Sequence, residues 1–137
     1  QTIPTSGKVF LSVRDFDKDG IVQVANELTD LGFSIVATRG TGKVISDAGI
    51  EIELVNKVAE GRPHIVDMIK NDEISIVINT TEGRQAIKDS ASIRRSAENH
   101  RVYYTTTLAG ARAICMALRF GQNQQVRRLQ DLHQRIA

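Results

Sequence analysis

Wherever an apolar run ends in this chain, hydroxyls, amides and lysines follow. Val9-Phe10-Leu11-Ser12-Val13 gives way to Arg14-Asp15-Phe16-Asp17-Lys18, and Phe33-Ser34-Ile35-Val36-Ala37 to Thr38-Arg39-Gly40-Thr41-Gly42. Ile50 to Val55 ends in Asn56-Lys57, Ile74 to Ile78 in Asn79-Thr80-Thr81, and Val102-Tyr103-Tyr104 in Thr105-Thr106-Thr107. These stretches are poor in the histidines and acids that move protons. They suit anion binding instead. Glycines let a backbone approach closely, backbone N–H groups and threonine hydroxyls point at an anion, and Lys18 and Lys57 add positive charge. A phosphate or a nucleotide is the expected guest. Taken singly, each loop also reads as threonines capping helices and glycines making turns; several such loops at one sheet edge favour the ligand.

Two other patterns point elsewhere. Asp15-Phe16-Asp17-Lys18-Asp19-Gly20 opens like a calcium loop, but its twelfth position is Asn26 where a bidentate Glu belongs, and a strand precedes it. Its acids better suit the start of the helix that follows. His64, His100 and His133 are far apart and show no metal-ligand spacing. The single cysteine, Cys115, falls on an apolar helical stripe and is expected to be a buried thiol.

The elements that must hold these loops follow from periodicity. The five apolar runs are short, β-branched or aromatic, and read as strands. Between them Ile21, Val22, Ala25, Leu28 and Leu31 mark one helix, closed by Gly32. Val44 to Ala48 marks a short one, stopped by Gly49. Pro63 suits a first helical position, ahead of Ile65, Met68 and Ile69. Ile87 to Asn99 reads as helical with a break near Asp89-Ser90. Leu108, Ala111, Cys115 and Leu118 define a helix ended by Gly121, and Val126, Leu129, Leu132 and Ile136 a last amphipathic segment. Strand and helix alternate five times, which predicts a three-layer α/β/α domain around a five-stranded parallel sheet, Rossmann-like in outline. Ligands of such sheets lie beyond the strands' carboxyl ends.

With 137 residues and 41% hydrophobic composition, the chain fits one domain with a real core. Residues 1–7 read as a linker and 8–137 as the domain; with no initial Met, the sequence looks like a piece of a longer protein. Net charge is +2, all of it from residues 121–137, so no uniform basic face for nucleic acid is expected. No apolar run approaches the roughly 18 residues of a membrane span and no secretory leader is evident, so no membrane partner is expected. One cysteine fits a reducing compartment, and a cytoplasmic location is expected.

The chain resembles the methylglyoxal-synthase-like fold and, within it, the regulatory domain of carbamoyl phosphate synthetase. The resemblance runs from about Lys8 to Leu118. It is carried by Phe10-Leu11-Ser12-Val13-Arg14, Ala37-Thr38-Arg39-Gly40-Thr41, Leu54-Val55-Asn56-Lys57-Val58, Glu60-Gly61-Arg62-Pro63-His64, Ile78-Asn79-Thr80-Thr81, Ile93-Arg94-Arg95-Ser96-Ala97 and Tyr104-Thr105-Thr106. It implies a nucleoside monophosphate at the sheet's carboxyl edge, UMP inhibiting and IMP activating, held by Lys18, Thr38, Thr41, Lys57, Asn79 and Thr81. It also implies that Tyr104 and Thr106 touch ornithine, between this domain and the preceding synthetase half. No cofactor is implied for the domain itself. The parent enzyme of that family uses ATP, Mg or Mn, and K, and works with a glutamine amidotransferase small subunit, serving pyrimidine and arginine synthesis. Two departures stand out: Arg39 replaces a different side chain, and Gly42 an alanine often found after Gly-Thr.

Two other functions share the ground. Methylglyoxal synthase needs a carboxylate to take a proton beside the carbonyl of dihydroxyacetone phosphate. The family places it as an Asp after Gly beyond the third strand, whereas Gly61 is followed here by Arg62. A docking module without ligand is the other, and the C-terminal amphipathic segment would serve it.

Overall fold

The first apolar run forms the central strand because both its faces are covered. Strand β1 (Lys8–Ser12) pairs in parallel with β2 (Ser34–Ala37) on one side and β4 (Ile76–Asn79) on the other. β3 (Glu53–Leu54) and β5 (Tyr103–Thr105) complete a five-stranded parallel sheet of order β3-β2-β1-β4-β5. The structure is a computed structural model that describes residues 2–136, without the side chains of Gln85 and 134–136.

Alternation along the strands sends side chains to two cores. Val9, Leu11, Ile76 and Ile78 face α1 (Lys18–Asp30), α2 (Arg39–Asp47) and α5 (Leu108–Ile136). Phe10, Val36 and Val77 face α3 (Ile65–Lys70) and α4 (Arg84–Asn99). The expected three layers are therefore present. Gly32, at φ 98°, follows α1 in the left-handed conformation that ends helices with a glycine. The chain enters along residues 2–7; Ile3 packs on the first core, and the Gly7 carbonyl accepts the Ser34 N–H at 3.1 Å.

Several expected boundaries differ. α2 begins at Arg39, so Thr38-Arg39-Gly40-Thr41-Gly42 is the cap and first turn of a helix and not a loop. β3 is two residues long, shorter than the run Ile50–Val55, because its acidic residues lie on the sheet's exposed edge. Pro63 precedes the helix instead of starting it: the Arg62–Pro63 bond is cis, and His64 caps α3. α4 runs unbroken through Asp89-Ser90, where the Ser90 hydroxyl donates to the Ala86 carbonyl at 2.7 Å and stays inside the helix. Gly121 does not end α5, which continues to Ile136; the Ile136 side chain assigned to the amphipathic stripe lies outside those described.

Cys115 is buried in the first core, 1% exposed. Burial, with the Glu27 carboxylate opposing ionisation, pushes its thiol up to about 12. The thiolate is the nucleophile, so the native chain should resist iodoacetamide at pH 8 and be alkylated fully once denaturant is added. Native-state labelling at the rate of a free thiol would contradict that burial.

Candidate functional site

At the carboxyl edge of the sheet, β1 sends its chain to one side and β4 lies on the other, leaving a crevice at the switch point. A cavity of about 280 Å³ occupies it. Phe10, Ser12, Lys18, Thr38, Lys57, Asn79 and Thr81 all line it. The topology thus brings together residues far apart in sequence, from the ends of β1, β2 and β4 and from the segment after β3.

The N-terminus of α2 sits beside it. Thr38 occupies the cap position, but no side chain caps this helix. Its hydroxyl donates instead to Ser12 Oγ at 3.2 Å. First-turn N–H groups lack intrahelical partners and attract anions. The Lys18 ammonium stands against that turn: a Cβ on Gly40 would lie 3.3 Å from Lys18 Nζ. Asp15 accepts a hydrogen bond from the same ammonium. That bond, aided by the charges of Lys18 and Lys57, holds the Asp15 carboxyl below the usual carboxylate range.

Thr41 is placed differently from the other five assigned residues. It is buried, accepts the Val13 N–H at 3.0 Å and donates to the Val13 carbonyl. It fixes the end of β1 against α2 and is not among the cavity's lining residues. Thr80 also holds the end of β1, accepting the Arg14 N–H at 3.0 Å, but it lines the cavity. Gly42 is also clear of the cavity; a Cβ there would meet Leu54 and Ile52 at 2.7 and 3.0 Å. Arg39 turns toward the segment after β3, donating to Asn56 Oδ1 at 2.9 Å, with its Nε 3.6 Å from Glu60.

Sequence reasoning missed the α4 wall. Asp89, Ser90 and Ile93 line the cavity with Ala86. The signal was present: these residues sit three or four apart with Ala97, so Asp89-Ser90 puts polar groups on the helix's inward stripe. Tyr104 and Thr106 lie elsewhere, in a second pocket with Arg94, Glu98, Arg101 and Thr105. Arg94 stacks 4.9 Å from the Tyr104 ring centroid. Asn79 joins the two places, its Nδ2 donating to Ser90 Oγ at 2.9 Å and to the Tyr104 hydroxyl at 3.2 Å.

The segment after β3 is tied down by charge. Arg62 donates to Asp67 Oδ1 from Nε at 3.1 Å and Nη2 at 2.7 Å, and the His64 N–H donates to Asp67 Oδ2 at 2.9 Å. These bonds depress the Asp67 carboxyl, the Arg62 contact most. A carboxyl lowered on folding stabilises above its unfolded value, ~3.9, and that gain is lost as pH falls through the folded value. Acid melts should show this loss below about pH 4, and Asp67→Asn should flatten the profile there. An unchanged acid limb in that variant would remove Asp67 from the account.

Among the described residues no group of acids, histidines or cysteine is placed to hold a metal, and no helix is long and apolar enough to cross a membrane. Asp17 of the calcium-like stretch instead accepts from Arg14 Nε at 2.9 Å.

This sheet order, with its cavity at the carboxyl edge, defines a doubly wound parallel α/β domain of the kind whose ligands lie at the switch point. The chain belongs to the MGS-like domain family, whose model matches residues 20–106. More particularly, it is 61% identical over 97% of its length to a carbamoyl phosphate synthase large chain of Pseudomonas putida, and 59% identical over 97% to that of Pseudomonas aeruginosa. It spans 12% of the length of those relatives. Among solved structures, a methylglyoxal synthase from Elizabethkingia anophelis is similar at 27% identity and a TM-score of 0.65, over 84% of this chain and 80% of that one. The structure of ForH shares the fold, with a TM-score of 0.65 at 20% identity over 84% of this chain and 79% of that one.

Proposed function

We propose that the chain is the regulatory domain of a carbamoyl phosphate synthase large chain, and that its cavity binds nucleoside monophosphates, UMP as inhibitor and IMP as activator. The observation that carries the reading is the meeting of Lys18, Lys57 and an uncapped helix N-terminus in one cavity, within a chain 61% identical to a segment of that enzyme. Cations and unpartnered N–H groups suit a phosphate. Asn79, Thr81 and the α4 wall then meet the nucleoside. Thr41 acts by holding β1 against α2. The second pocket, with Tyr104 and Thr106, contributes to an ornithine site completed by the preceding synthetase domains.

The fragment itself has no catalytic role in this reading. Arg62 stands where the lyases of the family carry their base, and it is engaged with Asp67. Carbamoyl phosphate synthesis belongs to the parent ligase in the cytoplasm, with ATP, Mg or Mn, K and its glutamine amidotransferase subunit, feeding pyrimidine and arginine synthesis. The domain acts on it by binding nucleotide with different affinity in two states of the enzyme, the only way a ligand shifts such an equilibrium.

Calorimetric titration of the chain and of the full-length subunit with UMP, IMP, inorganic phosphate and dihydroxyacetone phosphate tests the reading. Saturable nucleotide binding supports it, in the chain or only in the full subunit. Binding to neither leaves a docking domain, and conversion of dihydroxyacetone phosphate to methylglyoxal makes the chain a lyase. Asp15 offers a finer check. It is an exposed counter-ion that a phosphate must compete with for Lys18. Asp15→Asn should tighten phosphate binding by up to about fivefold, the size of an exposed ion pair. Unchanged or weaker affinity would mean the phosphate does not use Lys18.

A further inference from the structure

Helix α5 carries one apolar face with two fates. Ala111, Ile114, Cys115 and Leu118 are at most 8% exposed against the sheet and α1. The same face continues at steps of three and four through Gln122 to Val126, Leu129 and Leu132, which are 55%, 63% and 54% exposed. Gln122 still reaches the body of the domain, its Nε2 donating to the Leu31 carbonyl at 3.5 Å. Residues 125–133 are all exposed. The helix overhangs its domain with its core-type stripe uncovered.

A second observation says what lies next to it. A groove of about 440 Å³ separates Thr2, Ile3 and Thr5 from Leu118, Gly121 and Gln125. It reaches Gln125, next to Val126 at the start of the overhang and one helical turn before Leu129. Thr2, the first described residue, shares that groove with Gln125, so the described chain begins close to the start of the exposed stripe.

We propose that the overhanging half of α5 docks onto the part of the same polypeptide that precedes this domain, through an apolar surface seated on Val126, Leu129 and Leu132. This rests on the reading of the chain as one domain of a longer large chain, of which it spans 12% of the relatives' length. Size decides between occupants. A free second copy must offset the loss of translational freedom, and stable partners bury about 800 Å² each. Three side chains on a helix end fall short of that. A tethered neighbour starts at high effective concentration and needs far less area. Without such support an extension of this length is a marginal helix in water.

Amide hydrogen exchange over 124–136 tests the proposal, measured in this chain and in the full-length subunit. Exchange should be at least about tenfold slower in the full subunit. Leu129→Gln with Leu132→Gln should restore the fast rate there and leave the thermal midpoint of the 137-residue chain unchanged, because neither side chain is covered in it. Equal exchange in both proteins overturns the proposal. So does concentration-dependent dimerisation of the chain that the double variant abolishes, which would seat a second copy on the stripe. UMP titration of the same subunit separates the two readings: protection without nucleotide response leaves the docking intact and removes the regulatory role, and response without protection does the reverse.

Discussion

Lys57→Ala will weaken binding of UMP and inorganic phosphate by about 10- to 100-fold, and Lys18→Ala will do so by a similar factor. A hydrogen bond to a charged partner is worth ~1.5–3 kcal/mol, and on the proposed reading each lysine would supply one from a different element. Lys18 lies on the first turn of α1, against the start of α2; Lys57 comes from the segment after β3, across the cavity. Neither is part of the hydrophobic cores, so both variants should melt as the parent does. In the full-length subunit the nucleotide effect should vanish while basal turnover remains. Affinity within twofold of the parent in both variants would place the phosphate elsewhere. Collapsed turnover would mean that these residues serve assembly of the enzyme and not sensing.

Phe10→Ala should cost ~3–5 kcal/mol of stability, the usual range for emptying a buried aromatic site. Phe10 is fully buried at the centre of the middle strand, in register with Val36 and Val77. It belongs to the core that holds Ile65, Ile69 and Ile93 under α3 and α4. Against a typical total of ~5–15 kcal/mol, the loss should lower the thermal midpoint by about 10 °C or more, read by circular dichroism. Phe10 also lines the cavity, so ligand affinity should fall with it even at temperatures where the variant stays folded. Phe10→Leu, which keeps most of the apolar volume, should recover much of both. A loss below about 1 kcal/mol would mean that α3 and α4 collapse onto the vacated space.

Strand positions and sheet type were legible because the central strands are short buried runs and parallel sheets bury both faces, whereas the two helical segments expected on either side of Gly121 are one helix. Two of the misread boundaries, at the start of α2 and at Gly121, share a cause. Gly40, Gly42 and Gly121 carry low helix propensity, so they read as loop or stop, yet tertiary packing overrides a cost of about 1 kcal/mol per glycine. Gly42 packs against Ile52 and Leu54, and α5 runs past Gly121 while its earlier turns are anchored in the first core. The candidate site was legible as far as the strand ends, since a parallel sheet gathers its carboxyl-end loops. Thr41 shows the limit: a threonine one turn into a helix points at the neighbouring strand, and only the fold reveals that its hydroxyl is spent on Val13. Asp89 and Ser90 show the reverse, polar residues on an inward stripe whose meaning depended on there being a cavity opposite.

The Asn79 amide has two hydrogens, and Ser90 and Tyr104 take both. One group in the wall of the first cavity is therefore bonded to a residue in the wall of the second. A molecule in the first cavity that claims an Asn79 hydrogen must release Ser90 or Tyr104, and a molecule pulling on the Tyr104 hydroxyl frees a donor for the cavity. If both pockets take ligands as proposed, occupancy of either would alter the free energy of filling the other. Linkage makes that influence mutual: whatever factor the first ligand imposes on the second, the second imposes on the first.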